Sequence, residues 1–69
     1  MKISARNILK GQIAEVIKGQ TTTHVRIDIG GGNTVTSSIT NEAADELKLN
    51  KGQPASAVIK ASDVMVGTD

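Results

Sequence analysis

Residues 21–39 read TTTHVRIDIGGGNTVTSSI, and this stretch decides the fold. In its first nine residues, Val25, Ile27 and Ile29 alternate with polar and charged side chains, which is the pattern of a strand with one buried face. The four residues GGGN that follow are typical of a hairpin loop, because glycine tolerates positive φ. The last six residues are dense in β-branched side chains and predict the return strand. The chain is therefore predicted to be organised around an antiparallel hairpin.

The segment before this hairpin, residues 3–18, is predicted to be one long strand. Residues that favour strands fill it, and Gly11 interrupts them. Its apolar residues lie on both faces, since Ile13 and Ile17 share one parity and Val16 has the other. This distribution is typical of a central strand, or of a strand half-covered by another subunit. Gly11 is predicted to form a bulge or bend that lets the strand curve into a barrel.

The segment after the hairpin is predicted to form one short helix and two more strands. Asn41 suits a helix N-cap, and residues 42–48 are good helix formers that Asn50 or Gly52 would end. Five strands with a helix after the third are typical of an all-β protein with an OB-like, five-stranded Greek-key barrel. The last two strands are predicted at residues 55–60 and 63–66.

The composition predicts a thin core and self-association. The 69 residues allow one domain, residues 1–69, and they include no cysteine and no aromatic residue, so neither a disulfide nor a large ring can stabilise it. Oligomerisation is the remaining common way to stabilise so small a domain. Eight basic and seven acidic residues give a net charge of +1, which favours neither nucleic acid nor an anionic membrane. With no apolar leader and no membrane-spanning run, the chain is expected to be cytoplasmic.

The sequence lacks the motifs of an enzyme, a metal site or a nucleic-acid binder. His24 is the only histidine, and there is no cysteine nucleophile and no metal-ligand spacing. The three glycines at residues 30–32 precede no helix and have no P-loop lysine, so they are interpreted as a hairpin turn. OB folds that bind single strands normally stack bases on aromatic side chains, which are missing here. The chain is predicted not to be an enzyme and to bind neither a bare metal cation nor nucleic acid.

Three short clusters are rich in hydrogen-bond donors and contain no carboxylate. A fully deprotonated tetrahedral oxyanion is best held by donors on every side, whereas phosphate keeps a proton and gains from an acceptor. A pocket of donors alone therefore favours sulfate, molybdate or tungstate over phosphate. On residue chemistry alone, ordinary strand hydroxyls and solvated surface charges explain the same clusters more simply. The donor residues are Ser4, Arg6, Thr36, Ser37, Lys60 and Ser62.

Three motifs together resemble those of one protein family. They are SARN at residues 4–7, GGNxVTSxI at residues 31–39 and VIKASDVM at residues 58–65. Over essentially the whole chain, the sequence resembles the Mop family, or molbindins, with departures at Ser38 and Thr40 that remain hydrogen-bond donors. The resemblance implies an OB-like domain that assembles as a hexamer, a trimer of dimers, with molybdate or tungstate bound at subunit interfaces. It also implies a cytoplasmic role in molybdenum storage and homeostasis for cofactor synthesis.

The resemblance further implies which residues bind the anion. Their side chains would contribute hydroxyl, guanidinium and ammonium groups, and Ala61 would contribute only its backbone N–H. A second class of anion site is assigned to the turn at Gly19 and Gln20, and a molybdopterin ligand is left open. The alternative to storage is a molybdate-sensing interaction module that acts on a partner protein through the same residues. The predicted binding residues are Ser4, Ala5, Arg6, Asn7, Thr36, Ser37, Lys60, Ala61 and Ser62, with Thr36 and Ser37 reaching from a neighbouring subunit.

Overall fold

Four antiparallel strands and one short helix form the fold in the computed structural model, which describes residues 1–69. The strands form one sheet in the order β3-β2-β1-β4, so that β3 and β4 are its two edges. The chain contains no helix with the length and apolarity needed to cross a membrane. In chain order the elements are β1 (Asn7–Lys18), β2 (Thr22–Gly30), β3 (Asn33–Thr40), α1 (Asn41–Leu47), β4 (Pro54–Ile59) and a 3₁₀ turn (Ala61–Asp63).

The hairpin of β2 and β3 is confirmed by the structure. Val25 lies opposite Ser37 and Ile27 opposite Val35, so the alternating apolar side chains of β2 share one face with alternate residues of β3. Residues 31 and 32 form the loop, with φ values of 64° and 80° that glycine adopts without strain. The sequence pattern therefore placed both strands and the turn between them.

The first strand, β1, is central and pairs with two partners in succession. Its residues 7–12 pair with β4, and its residues 12–18 pair with β2. The apolar residues on both faces of β1 predicted either a central strand or one half-covered by another subunit, and this double pairing makes it a central strand.

The irregularity in β1 does not lie where it was predicted. A shift in register occurs between Ile13 and Glu15, and not at Gly11. Gly11 is needed for a different reason: a Cβ atom there would overlap the backbone carbonyl of Asp28 on β2. Glycine at this position permits a close approach of two backbones, and the bulge forms two to four residues later.

The boundaries of the helix α1 also differ from the prediction. Thr40, and not Asn41, is the N-cap, and its hydroxyl accepts a hydrogen bond of 3.1 Å from the backbone N–H of Ala43. The helix ends at Leu47, because Lys48 adopts a left-handed conformation with φ of 52°. Asn41 is helical and its side-chain amide is used elsewhere, which explains why cap preference alone misplaced the boundary.

The hydrophobic core is thin, as the composition predicted. Six of the 69 residues are buried, and the only polar one among them is Thr23. The buried apolar side chains come from three strands and from the helix, and partly buried neighbours on β1, β2 and β3 pack around them. The buried apolar residues are Ile13, Val25, Ile27, Ala44 and Ala57.

The fifth predicted strand, residues 63–66, does not form in the single chain. The 3₁₀ turn at Ala61–Asp63 follows β4, and Met65 and Val66 are 93% and 91% exposed. Without that strand the sheet curls into a half-barrel in which residues of β3 and β4 face each other across a groove. A strand needs a neighbouring edge to pair with, and this segment pairs with neither edge of its own sheet.

Candidate functional site

Two of the three donor clusters lie at one end of the β1–β4 pair. Asn7 begins β1 and lies opposite Ile59, the last residue of β4. The side-chain amide of Asn7 donates a 3.3 Å hydrogen bond to the carbonyl oxygen of Ile59, which fixes the two strand ends to each other. Arg6 immediately precedes this pair and Lys60 immediately follows it, so the pairing of the strands brings both cations to the same end of the sheet.

The two cations, Arg6 and Lys60, have no acidic partner. Both are exposed, and the two ion pairs of the structure, Lys18–Asp45 and Arg26–Glu15, lie elsewhere. Uncompensated like charges that lie at the same end of a strand pair repel each other, and an anion between them removes that repulsion. This end of the sheet therefore has the electrostatics of an anion site.

The neighbouring residues add donors to the two cations. Ser4 and Ala5 precede β1, Ser4 being exposed and Ala5 partly buried. In the 3₁₀ turn, the backbone hydrogen bonds run from Asp63 to Lys60 and from Val64 to Ala61. These bonds leave the backbone N–H groups of Ala61 and Ser62 free to donate to a ligand.

The third cluster, Thr36 and Ser37, lies on the opposite edge of the sheet. Ser37 is opposite Val25 and faces the concave side, whereas Thr36 is opposite Arg26 and faces outward. Both residues border a groove of about 290 Å³ whose other wall is the last part of β4, up to Ile59. No hydrogen bond joins this cluster to the other two within one chain, so the structure brings together two predicted clusters and leaves the third across the groove.

The turn at Gly19 and Gln20 was predicted as a second anion site. Its two carbonyl oxygens each accept a 3.1 Å hydrogen bond from the side-chain amide of Asn41. A polar recess of about 300 Å³ lies beside it, and Glu42 is one of the residues that line this recess. The carboxylate works against an oxyanion in this recess, and the second site stays a prediction.

One polar constellation was missed by the sequence analysis. The hydroxyl of Thr23, buried to 1% exposure, donates a 2.7 Å hydrogen bond to the side-chain oxygen of Asn41. The signal was present in the sequence, because Thr23 has the same parity as Val25 and Ile27 and so had to face inward. Thr23 and Asn41 together join β2, the β1–β2 turn and the start of α1.

Residues that could ligate a metal cation are dispersed. No three side chains among histidine, cysteine, aspartate and glutamate lie close enough to hold an ion. His24 is exposed and pairs with Ile17 and Ser38 across the sheet. The single chain therefore offers no ready-made set of ligands for a bare metal cation.

Comparisons with known proteins agree with this chemistry. The family model of the TOBE domain matches residues 3–66. A "Probable molybdenum-pterin-binding protein" from Haemophilus influenzae is 49% identical over 69 residues, which cover all of both chains. These similarities extend over nearly the entire chain.

Two solved structures have the same fold. MopII from Clostridium pasteurianum superimposes with a TM-score of 0.90 at 42% identity, covering 97% of this chain and 100% of that one. A structure described as the cytoplasmic molybdate-binding protein ModG with molybdate bound gives a TM-score of 0.93 at 43% identity. The match covers 100% of this chain and 49% of ModG, so ModG is about twice as long.

Proposed function

Because this chain belongs to the TOBE-domain family and, within it, to the molybdenum-pterin-binding (Mop) proteins, we propose that it binds molybdate as a tetrahedral oxyanion. One observation carries the proposal: Arg6 and Lys60 lie at the same end of the β1–β4 pair without a carboxylate partner. Charge-assisted hydrogen bonds from such side chains are about twice as strong as neutral ones. A dianion between them gains these bonds and relieves the repulsion of the two cations.

The proposed site consists of side chains and backbone groups from both ends of the chain. The hydroxyls of Ser4 and Ser62 and the free N–H groups of Ala61 and Ser62 complete the donors around the two cations. Asn7 already donates to Ile59, so its contribution is to hold the two strand ends in place. Ala5 contributes backbone only. Thr36 and Ser37 complete the set from a second copy of the chain.

We place the anion at an interface between copies for two reasons. In one chain the donors of the first two clusters are largely exposed, and a site with water on one side binds its ligand weakly. Thr36 and Ser37 lie on the other edge of the sheet, across the groove. The proposed assembly is a homo-oligomer, a hexamer built as a trimer of dimers, in which residues 1–69 of each copy form one binding domain.

The lack of a carboxylate in the site favours molybdate over phosphate. Phosphate near neutral pH carries a proton, and only the neutral hydroxyls of the site could accept a hydrogen bond from it. Tungstate matches molybdate in charge and closely in size, so it is expected to bind as well. The proposed role is cytoplasmic storage and homeostasis of molybdenum; the description of ModG as a cytoplasmic molybdate-binding protein supports molybdate binding in the cytoplasm.

Native mass spectrometry tests this proposal directly. The protein is sprayed alone, with molybdate, and with phosphate, together with Arg6→Ala and the control Lys51→Ala. We expect an oligomer whose mass rises in steps of one molybdate for the wild type and for Lys51→Ala, because Lys51 is a cation in an exposed turn before β4 and is not part of the proposed site. Arg6→Ala should lose most of this uptake. Equal uptake by both variants, or equal uptake of phosphate, would contradict the proposed site.

A further inference from the structure

Asp63 is the acidic residue nearest in sequence to the proposed anion site. Residues 1–14 and 47–62, which include both donor clusters at the end of the β1–β4 pair, contain neither aspartate nor glutamate. Asp63 follows Ser62 directly and is the last residue of the 3₁₀ turn Ala61–Asp63. A fixed negative charge therefore lies at the border of a site that otherwise consists of donors and cations.

The 3₁₀ turn keeps Asp63 close to Lys60. The backbone N–H of Asp63 donates a 2.9 Å hydrogen bond to the carbonyl oxygen of Lys60. A turn closed in this way holds its first and fourth Cα atoms within about 7 Å of each other. The long, flexible side chain of Lys60 can span that distance, so its ammonium group and the carboxylate of Asp63 share one small region of the surface.

The carboxylate of Asp63 does not hold the turn together. It is exposed, and neither of the two ion pairs of the chain includes it. The hydrogen bonds that close the turn are between backbone groups. In contrast, the carboxylate of Asp28 accepts a 2.8 Å hydrogen bond from the N–H of Gly30 and so helps to fix the hairpin. The charge of Asp63 can therefore be removed without removing a hydrogen bond.

An anion in the proposed site lies in the electric field of Asp63. The Cα atoms of Ser62 and Asp63 are about 3.8 Å apart, because the two residues are consecutive. An anion that accepts from the N–H of Ser62 therefore lies within roughly 10 Å of the carboxylate. This distance is comparable to the Debye length of about 8–10 Å near physiological ionic strength, so salt weakens the repulsion without abolishing it. When the site is empty, the same charge offsets part of the repulsion between Arg6 and Lys60.

We infer that Asp63 sets the affinity of the site, as a built-in counter-ion that competes with the bound anion for the charge of Arg6 and Lys60. This inference rests on the proposed function and assigns a role to a residue outside the donor set. Asp63 does not touch the anion, and it acts through its charge alone. The carboxylate keeps the affinity for a dianion below the value that the donors and cations would give without it.

The charge of the ligand separates this electrostatic effect from a steric one. The repulsion between two charges is proportional to their product, so Asp63 opposes a dianion twice as strongly as a monoanion. Perrhenate is a tetrahedral monoanion of nearly the same size as molybdate. At a separation of about 8 Å in water, loss of the Asp63 charge should tighten the binding of molybdate about fivefold and that of perrhenate about twofold.

Titration calorimetry with molybdate and with perrhenate tests the inference. Asp63→Asn removes the charge, Asp63→Glu keeps it, and the control Glu46→Gln removes an equal charge from the exposed side of α1. At low salt we expect Asp63→Asn to bind molybdate about fivefold more tightly, with a smaller gain for perrhenate and a gain that shrinks as salt is added. The other two variants should match the wild type. Equal affinity of Asp63→Asn and the wild type, or a gain that does not depend on salt, would overturn the inference.

Thermal melting in a buffer free of oxyanions gives a second readout that needs no bound anion. Without the carboxylate, Arg6 and Lys60 repel each other more strongly, so Asp63→Asn should lower Tm by about 1–4 °C while Glu46→Gln does not lower it. If the wild type binds molybdate and Asp63→Asn equals it in affinity and in Tm, the role of Asp63 is refuted and the proposed function stands. If no protein binds molybdate but Asp63→Asn still lowers Tm, the proposed function is refuted and the pairing of the charges stands.

Discussion

Gly11 is required at the contact between β1 and β2, because the hydrogen atom that is its whole side chain is all that fits there. The backbone of β1 passes so close to the carbonyl of Asp28 that any Cβ at position 11 would overlap it. The neighbouring Ile13 is buried to 1% exposure, so the strands cannot move apart without opening the core. Gly11 interrupts a strand pattern and so predicts a bulge or bend, but the periodicity of the sequence carries no information on how closely another backbone approaches.

Gly11→Ala should therefore destabilise the protein strongly. Relieving the overlap requires a backbone shift, which costs about 1–3 kcal/mol in a packed structure. For a domain of this size, each 1 kcal/mol lowers Tm by roughly 4–8 °C. The control is Gly67→Ala, since nothing lies within 4 Å of a Cβ there. Similar Tm values for the two variants in a thermal melt would contradict this view of the β1–β2 contact.

At the scale of elements, Asn41 joins the helix to the sheet. Its side chain accepts from the buried hydroxyl of Thr23 and donates to the carbonyls of Gly19 and Gln20, while its own N–H donates to Thr21. These four bonds fix the β1–β2 turn against the start of α1. The preference of asparagine for N-cap positions predicts a cap at Asn41, whereas the partners of its side chain depend on how the chain folds back.

Asn41→Ala should cost more stability than Thr40→Ala. The first change leaves the buried Thr23 hydroxyl without its acceptor, at about 1–3 kcal/mol. The second removes a helix cap that is exposed to water, typically about 1 kcal/mol. Urea denaturation of the two variants measures the difference. The opposite ranking would mean that the cap at Thr40 stabilises the protein more than the hydrogen bond between Thr23 and Asn41 does.

At the scale of the whole molecule, the structure contains four of the five strands that the sequence predicted, together with the predicted helix and thin core. Those features follow from local period and composition. The fifth strand could not be predicted in the same way. The composition of Val64, Met65 and Val66 favours a strand, but it does not say which sheet edge, if any, that strand would pair with. The residues of the proposed site divide in a similar way. The pairing of β1 with β4 places Arg6 and Lys60 at the same end of the sheet, whereas Thr36 and Ser37 lie on the far edge.

Molybdate should raise the thermal stability of the assembled protein. A ligand at a hundredfold excess over its Kd stabilises the state that binds it by about 2.7 kcal/mol per site. We expect a molybdate-dependent rise in Tm for the wild type and for Lys51→Ala, whose side chain lies in an exposed turn before β4. Lys60→Ala should lose most of that rise. If all three proteins gain the same stability in a melting series, Lys60 does not hold the anion.

The division of the donors between two edges of the sheet has a consequence for polymerisation. Arg6 and Lys60 lie at the end of the β1–β4 pair and Thr36 and Ser37 lie on β3, so a contact that joins the two sets uses two different surfaces of the chain. If two copies make this contact reciprocally, the pair closes. If each copy joins its first surface to one neighbour and its second surface to another, the series ends only when it returns to its start and otherwise grows into a fibre. The angle between successive copies thus separates a finite particle from an endless one.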